Sequence, residues 1–151
     1  MRTHLLARSQ QVPAPPEAVF EFFADARNLE AITPPWLRFS VLTHDPVEMR
    51  AGALIEYRLA LHRVPVRWLT RIEEWEPGRA FVDMQVRGPY RLWHHTHTFA
   101  ERDGGTLVGD RVRYALPLGP LGAVAHALFV RRDLERIFAY RHAVIAQRFT
   151  K

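Results

Sequence analysis

The stretch Arg91-Leu-Trp-His-His-Thr-His-Thr-Phe99, which runs on to Asp103-Gly-Gly105, decides how this chain of 151 residues reads. Thr, Trp and Phe favour strands, and a strand sends alternate side chains to opposite faces. Trp93, His95, His97 and Phe99 then share one face, and Leu92, His94, Thr96 and Thr98 the other. Two imidazoles between two large aromatics combine the apolar wall and the few polar groups that a ligand pocket needs. Asp103-Gly104 is a two-residue hairpin loop. It sets Phe99 opposite Val108, His97 opposite Asp110, His95 opposite Val112 and Trp93 opposite Tyr114. Asp110, Val112, Tyr114 and Leu116 join the histidine face, while Arg111 and Arg113 face out. Neighbours across two strands lie close enough for His97 and Asp110 to hydrogen-bond.

Upstream, a three-residue loop at Gly88-Pro89-Tyr90 sets Arg87 against Arg91, Gln85 against Trp93 and Asp83 against His95. A two-residue loop would exchange these for Val86, Met84 and Val82, which leaves the contribution of Asp83 and Gln85 open. Further out, residues 3–12 read as a strand stopped by Pro13-Ala-Pro-Pro16. Proline suits a first helical turn because its missing N–H would be unpaired there. Pro15 or Pro16 therefore opens a helix with Val19, Phe20 and Phe23 on its apolar stripe. A second short helix over 26–32 ends at Thr33-Pro34-Pro35. Strands are then expected over 36–44, closed by Asp45-Pro46, and over 53–62, with Ile55, Tyr57, Leu59 and Leu61 on one face. Further strands span 64–74, 81–87 and 106–116. No strand alternates with a long helix, so the sheet is antiparallel.

Residues 118–149 form the last element, interrupted by Gly119-Pro120 and Gly122 and then free of both breakers. Val130, Leu134, Ile137, Phe138, Val144 and Ile145 fall on one face of a long helix. Ala123 and Ala127 continue that face and leave room above the sheet, while Leu121, Val124 and Leu128 point elsewhere. Arg141 sits inside the apolar stripe, where an isolated guanidinium cannot remain unpaired.

Composition narrows the function classes. Hydrophobic residues make up 48% and charged residues 25%, as in a globular protein. Cysteine is absent, which removes disulfides and thiol chemistry. No apolar run near the N-terminus suits a signal peptide, and none elsewhere reaches the roughly 18 residues of a membrane span. A cytoplasmic protein is the expectation. All but one of the 21 basic residues are Arg, giving a net charge of +5. They are spread along strands like the solvent face of a sheet, clustering only at Arg131, Arg132 and Arg136, and no nucleic-acid module is present. Trp36, Trp68 and Trp75 read as packing residues, and His62, His94 and His126 as solvent-facing.

The order strand, two short helices, six strands and long helix resembles the Bet v 1-like superfamily, also called START-like or SRPBCC. Within it the chain resembles the bacterial polyketide cyclase/dehydrase and lipid-transport type. The resemblance covers the whole chain and rests on Val12-Pro-Ala-Pro-Pro-Glu-Ala-Val-Phe-Glu-Phe-Phe-Ala-Asp25, on Trp75-Glu-Pro-Gly-Arg-Ala-Phe81 and on the strand 93–99 with Gly105-Thr106 after it. It implies a single α+β domain over residues 1–151 with the helix-grip fold. A curved seven-stranded antiparallel sheet would wrap a long C-terminal helix, with two short helices between the first two strands and a cavity between sheet and helix.

The expected ligand set is Tyr57, Leu59, Leu61, Asp83, Gln85, Trp93, His95, His97, Phe99, Asp110, Val112, Tyr114, Ala123, Ala127 and Arg141. Such a cavity would bind, carry or sequester a small hydrophobic or amphipathic molecule. The same polar groups could instead be a structural network, or, as cyclase relatives imply, a His–Asp general acid/base drawn from His95, His97 and Asp110 in a cyclase/dehydratase-like enzyme. An interaction module using the Arg-rich surface is the third reading. No cofactor is expected, and no metal, since paired histidines on one strand are common and no further ligand cluster is legible.

Overall fold

The computed structural model describes residues 2–44 and 48–150. The first strand, β1 (His4–Val12), leads through the prolines into α1 (Pro16–Phe23) and α2 (Asn28–Ile32). The next strands are β2 (Ser40–Val41), β3 (Leu54–Leu61), β4 (Val64–Glu76), β5 (Ala80–Arg87), β6 (Leu92–Arg102) and β7 (Gly105–Ala115). They form one antiparallel sheet of seven strands in the order β1-β7-β6-β5-β4-β3-β2. A helix in three segments follows: α3 (Gly119–Ala125), a π-helical turn over His126–Val130 and α4 (Arg131–Arg148). This is the helix-grip arrangement, with the curved sheet closed over the last helix. No helix among the described residues is long and apolar enough to cross a membrane.

The β6–β7 hairpin has the expected two-residue loop, with Arg102 opposite Gly105. Asp103 and Gly104 have φ of 51° and 76°, the left-handed pair that matches the twist of a hairpin. Its register is the one the sequence predicts: Phe99 faces Val108, His97 faces Asp110, His95 faces Val112 and Trp93 faces Tyr114. A side chain at Gly105 would collide with the Val12 carbonyl oxygen of β1. Gly105→Ala is therefore expected to lower unfolding free energy by about 1–3 kcal/mol in urea melts, since the obstacle is backbone. An unchanged melt would mean that β1 and β7 do not approach as described.

Three expectations need correction. The strand over 36–44 shrinks to Ser40–Val41, because Pro34-Pro35 start a 3₁₀ turn over Pro35–Leu37 that Arg38 ends at φ 49°; Asp45-Pro46 lies outside the described residues. Trp36 is half exposed rather than packed, with the Arg136 guanidinium 5.1 Å from its ring. Near Gly88 the β5–β6 ladder ends at Met84 opposite His94, so Gln85 does not meet Trp93, nor Arg87 Arg91. The end of β5 stays on β4 instead, with Gln85 opposite Thr70 and Arg87 opposite Leu69.

The core divides around the helix. Val12, Val19, Phe20, Phe23, Phe81, Phe99 and Ile145 pack together at the α1 end. Leu6, Leu59, Trp68, Trp93, Val112, Leu134 and Phe138 pack nearer the middle. Between Tyr57, Trp68 and Phe138 the packing is incomplete, which positions the site.

Candidate ligand cavity and its polar floor

A cavity of about 180 Å³ lies between the sheet and α4, lined by residues of α1, α2, β3 to β6 and α4. Its walls are mostly aromatic and aliphatic, with Phe23, Phe39, Tyr57, Leu59, Trp68, Tyr90, Trp93 and Phe138 among them. One side is polar, formed by Asp83, His95, His97 and Arg141.

Strand pairing brings these groups together. Asp83 lies opposite His95 and Asp110 opposite His97, all on the inner face. The hydrogen bonds, however, run along the diagonals. His95 Nε2 meets Asp110 Oδ1 at 2.8 Å, and His97 Nε2 meets Asp83 Oδ2 at 2.5 Å. The expected His97–Asp110 hydrogen bond is not formed; Nδ1 and Oδ1 stand 3.6 Å apart. Side chains lean along their strands, and diagonal neighbours remain within reach of long ones. The two imidazoles stack at 3.7 Å, and His97 stacks on Phe81 at 4.0 Å.

Arg141 closes the network from the helix. Its Nη2 lies 3.4 Å from both His97 Nδ1 and Asp110 Oδ1, and its guanidinium stands over Phe23 and Phe138. As a donor, Arg141 leaves His97 Nδ1 the acceptor, so Nε2 carries the proton donated to Asp83. His95, when neutral, donates from Nε2 to Asp110 and turns a bare Nδ1 toward Asp83, 3.8 Å away. Arg141 Nε is buried and has no partner.

The ionisation states follow from this geometry. Burial opposes charge on Asp110, but the Arg141 guanidinium and the histidine neighbours together outweigh it and hold the carboxyl well below the usual range. Burial likewise opposes charge on Asp83, where the His97 hydrogen bond and the nearby cations win and lower its pKa. Burial lowers His97 to about 4, and charge on His95 adds to the effect. His97 is therefore neutral at neutral pH, able to accept a proton only from a strong donor. Burial raises the pKa of Tyr57 on the cavity wall, so it stays a phenol.

The expected residues divide accordingly. Tyr57, Leu59, Leu61, Asp83, Trp93, His95, His97 and Arg141 line the cavity. Asp110 sits behind the histidines rather than on the wall. Phe99 and Val112 face inward but are covered by α1 and α4 core residues. Gln85 clamps the backbone of Tyr90, donating to its carbonyl at 2.7 Å and accepting from its N–H at 3.0 Å. Tyr114 turns its hydroxyl to His126 Nε2 at 2.8 Å, and His126 stacks on His4 at 3.6 Å instead of facing solvent. Ala123 lines a separate surface groove with His4 and Leu116, and Ala127 is exposed. The π turn is the reason. Its extra residue rotates the helix before Val130, so Gly122 and His126 turn inward in place of the two alanines.

Sequence reasoning missed Trp68 and Thr70. A two-residue turn at His62-Arg63 places Trp68 opposite Tyr57, the same hairpin logic that worked for β6–β7. Asp83, His95 and His97 bring ligand atoms within 4.8 Å of one another, the one such trio among the described residues. They could hold a small cation, but each already has a hydrogen-bond or ionic partner, and Arg141 places positive charge beside them.

The family model described as polyketide cyclase / dehydrase and lipid transport matches residues 12–139. No curated protein matches the sequence. Among solved structures, protein CV1439 of Chromobacterium violaceum is 18% identical with a TM-score of 0.73, and the likeness covers 97% of each chain. The ZhuI aromatase/cyclase of Streptomyces sp. R1128 is 15% identical at 0.73, over 97% of this chain and 93% of that one. The ginseng major latex-like protein of Panax ginseng is 10% identical at 0.71, over 99% of each. At these identities the likeness speaks for the fold.

Proposed function

This chain belongs to the polyketide cyclase / dehydrase and lipid transport family, and we propose that it binds a small, largely apolar molecule in the cavity between sheet and helix. The observation that carries this reading is an aromatic cavity of about 180 Å³ with one polar side. An apolar cavity of about 150 Å³ is enough to take up benzene. One substituted ring, with a hydroxyl or carbonyl for the polar floor, therefore fits the cavity as it stands. A long acyl chain or an extended polyketide would require it to widen.

A second reading has an observation of its own. A neutral His97 bonded to Asp83, beside His95 bonded to Asp110, has the composition of a general acid/base pair on the cavity wall. Under this reading the bound molecule is a substrate and leaves altered, as in a cyclisation or dehydration.

Calorimetric titration with p-cresol tests the binding reading. Saturable one-to-one uptake is expected, weakened at least about tenfold by Leu59→Trp, which fills the cavity. Absence of uptake, or uptake indifferent to Leu59→Trp in a variant that still melts cooperatively, would sink it. Chromatography of the recovered ligand separates the two readings: unchanged molecules support binding, and a product supports the enzyme.

A further inference from the structure

Five of the ten large apolar side chains exposed among the described residues fall within one stretch: Leu118, Leu121, Val124, Leu128 and Phe129, each 55–73% exposed. Leu121, Val124 and Leu128 share one helical face, and Leu118 and Phe129 flank it. The sequence has no acidic residue between Asp110 and Asp133, and Arg131 and Arg132 follow the patch directly. Soluble proteins seldom leave so continuous an apolar surface unless something covers it.

The patch continues to the outer end of the cavity. The Phe129 ring lies 6.2 Å from the His62 ring at the tip of the β3–β4 hairpin. His62 and Arg63 hold φ of 49° and 71° at that tip, a strained geometry for residues other than glycine, and next to them Val64 is 60% exposed. Beside the tip a groove carries Trp36, Arg38, Arg63 and Arg136, with one acid, Asp133, bonded to His62 at 2.7 Å. That groove shares Leu37, Leu61 and Ile137 with the cavity lining.

We propose that this face docks on the surface of a bilayer rich in anionic lipid, with Leu121, Val124, Leu128 and Phe129 entering the headgroup boundary. The arginines at Arg131, Arg132, Arg63 and Arg136 would face lipid phosphates. Charge complementarity selects this occupant. A second copy would set like charge against like, because Arg38, Arg63, Arg131, Arg132 and Arg136 outnumber Asp133 and Glu135 around the patch, whereas an anionic surface meets both the apolar face and this net basic rim. Docking this way sets the outer end of the cavity at the membrane, where an apolar ligand is concentrated. The inference stands on the surface alone and does not depend on what the cavity binds.

Vesicle flotation of the full chain tests it. Vesicles of equal parts phosphatidylcholine and phosphatidylglycerol are expected to carry the protein, phosphatidylcholine alone much less, and added salt should weaken the association. The double variant Leu121→Glu/Leu128→Glu should bind at least about tenfold more weakly. Arg131→Ser/Arg132→Ser should lose affinity for the anionic vesicles only. Leu54→Glu, an exposed change at the opposite end of β3 from the hairpin tip, should bind like the parent. These positions are exposed, so melts should be unchanged, and p-cresol titration of the variants reads the cavity separately. No flotation, or equal flotation of the double glutamate variant, would overturn the proposal. So would a dimer in sedimentation that the glutamates split, for the patch would then be covered by a second copy.

Discussion

Arg141→Leu is expected to lower the unfolding free energy by about 3–5 kcal/mol, because it removes one partner of a buried ion pair and leaves the other charged. Arg141 is 8% exposed and stands 3.4 Å from Asp110 Oδ1, which is itself 4% exposed. The stranded group is the Asp110 carboxylate, left in a low-dielectric interior with only histidine partners. Adding Asp110→Asn to the leucine variant should restore a large share of the loss, since the amide carries no charge to strand. Urea melts of the parent, both single variants and the double variant provide the cycle. A single Arg141→Leu variant within about 1 kcal/mol of the parent would show that the guanidinium is not what holds Asp110 ionised.

Acid should weaken the fold before any carboxylate titrates in the unfolded chain. His97 titrates at about 4 in the folded protein against 6.5 for an ordinary histidine. Between those values the unfolded state binds more protons than the folded one, so stability falls as pH falls. The contribution is fully present above pH 6.5 and is lost by about pH 4, a loss of about 3 kcal/mol from this residue. Asp83 and Asp110, both with lowered pKa, add a further loss at still lower pH. Melts at intervals from pH 7.5 to pH 4.5 should show the decline, and His97→Gln should flatten it. A parent protein equally stable across that window would contradict a buried, neutral His97.

The features of this molecule legible in the sequence are those set by period and turn chemistry. Alternation along 91–99 and the Asp103-Gly104 loop settle the register of β6 and β7, and hence which residues face Asp110 and Tyr114. Arg141 announces its burial because it interrupts an apolar helical stripe, and the partner that such burial demands is Asp110. What alternation could not give is the direction in which a side chain leans. The register sets His97 against Asp110, yet two stacked imidazoles exchange partners, and the bonds follow the diagonals. The π turn at His126–Val130 was equally hidden, since a one-residue change of helical phase leaves no mark in a run of Ala, Leu and Val. It moves Ala123 and Ala127 off the cavity, turns His126 inward and leaves Leu121, Val124 and Leu128 outside. Gln85 was misplaced for a similar reason: the loop at Gly88 lets β5 and β6 diverge earlier than an ideal hairpin would.

The most direct measurement of the central claim is a crystal structure of the protein soaked with p-cresol. The expected result is one ligand between Trp93 and Phe138, its ring among the aromatic walls and its hydroxyl within hydrogen-bonding distance of Asp83 or His97. A cavity closed by its own side chains, or p-cresol bound only on the outside of the molecule, would contradict a ligand-binding interior.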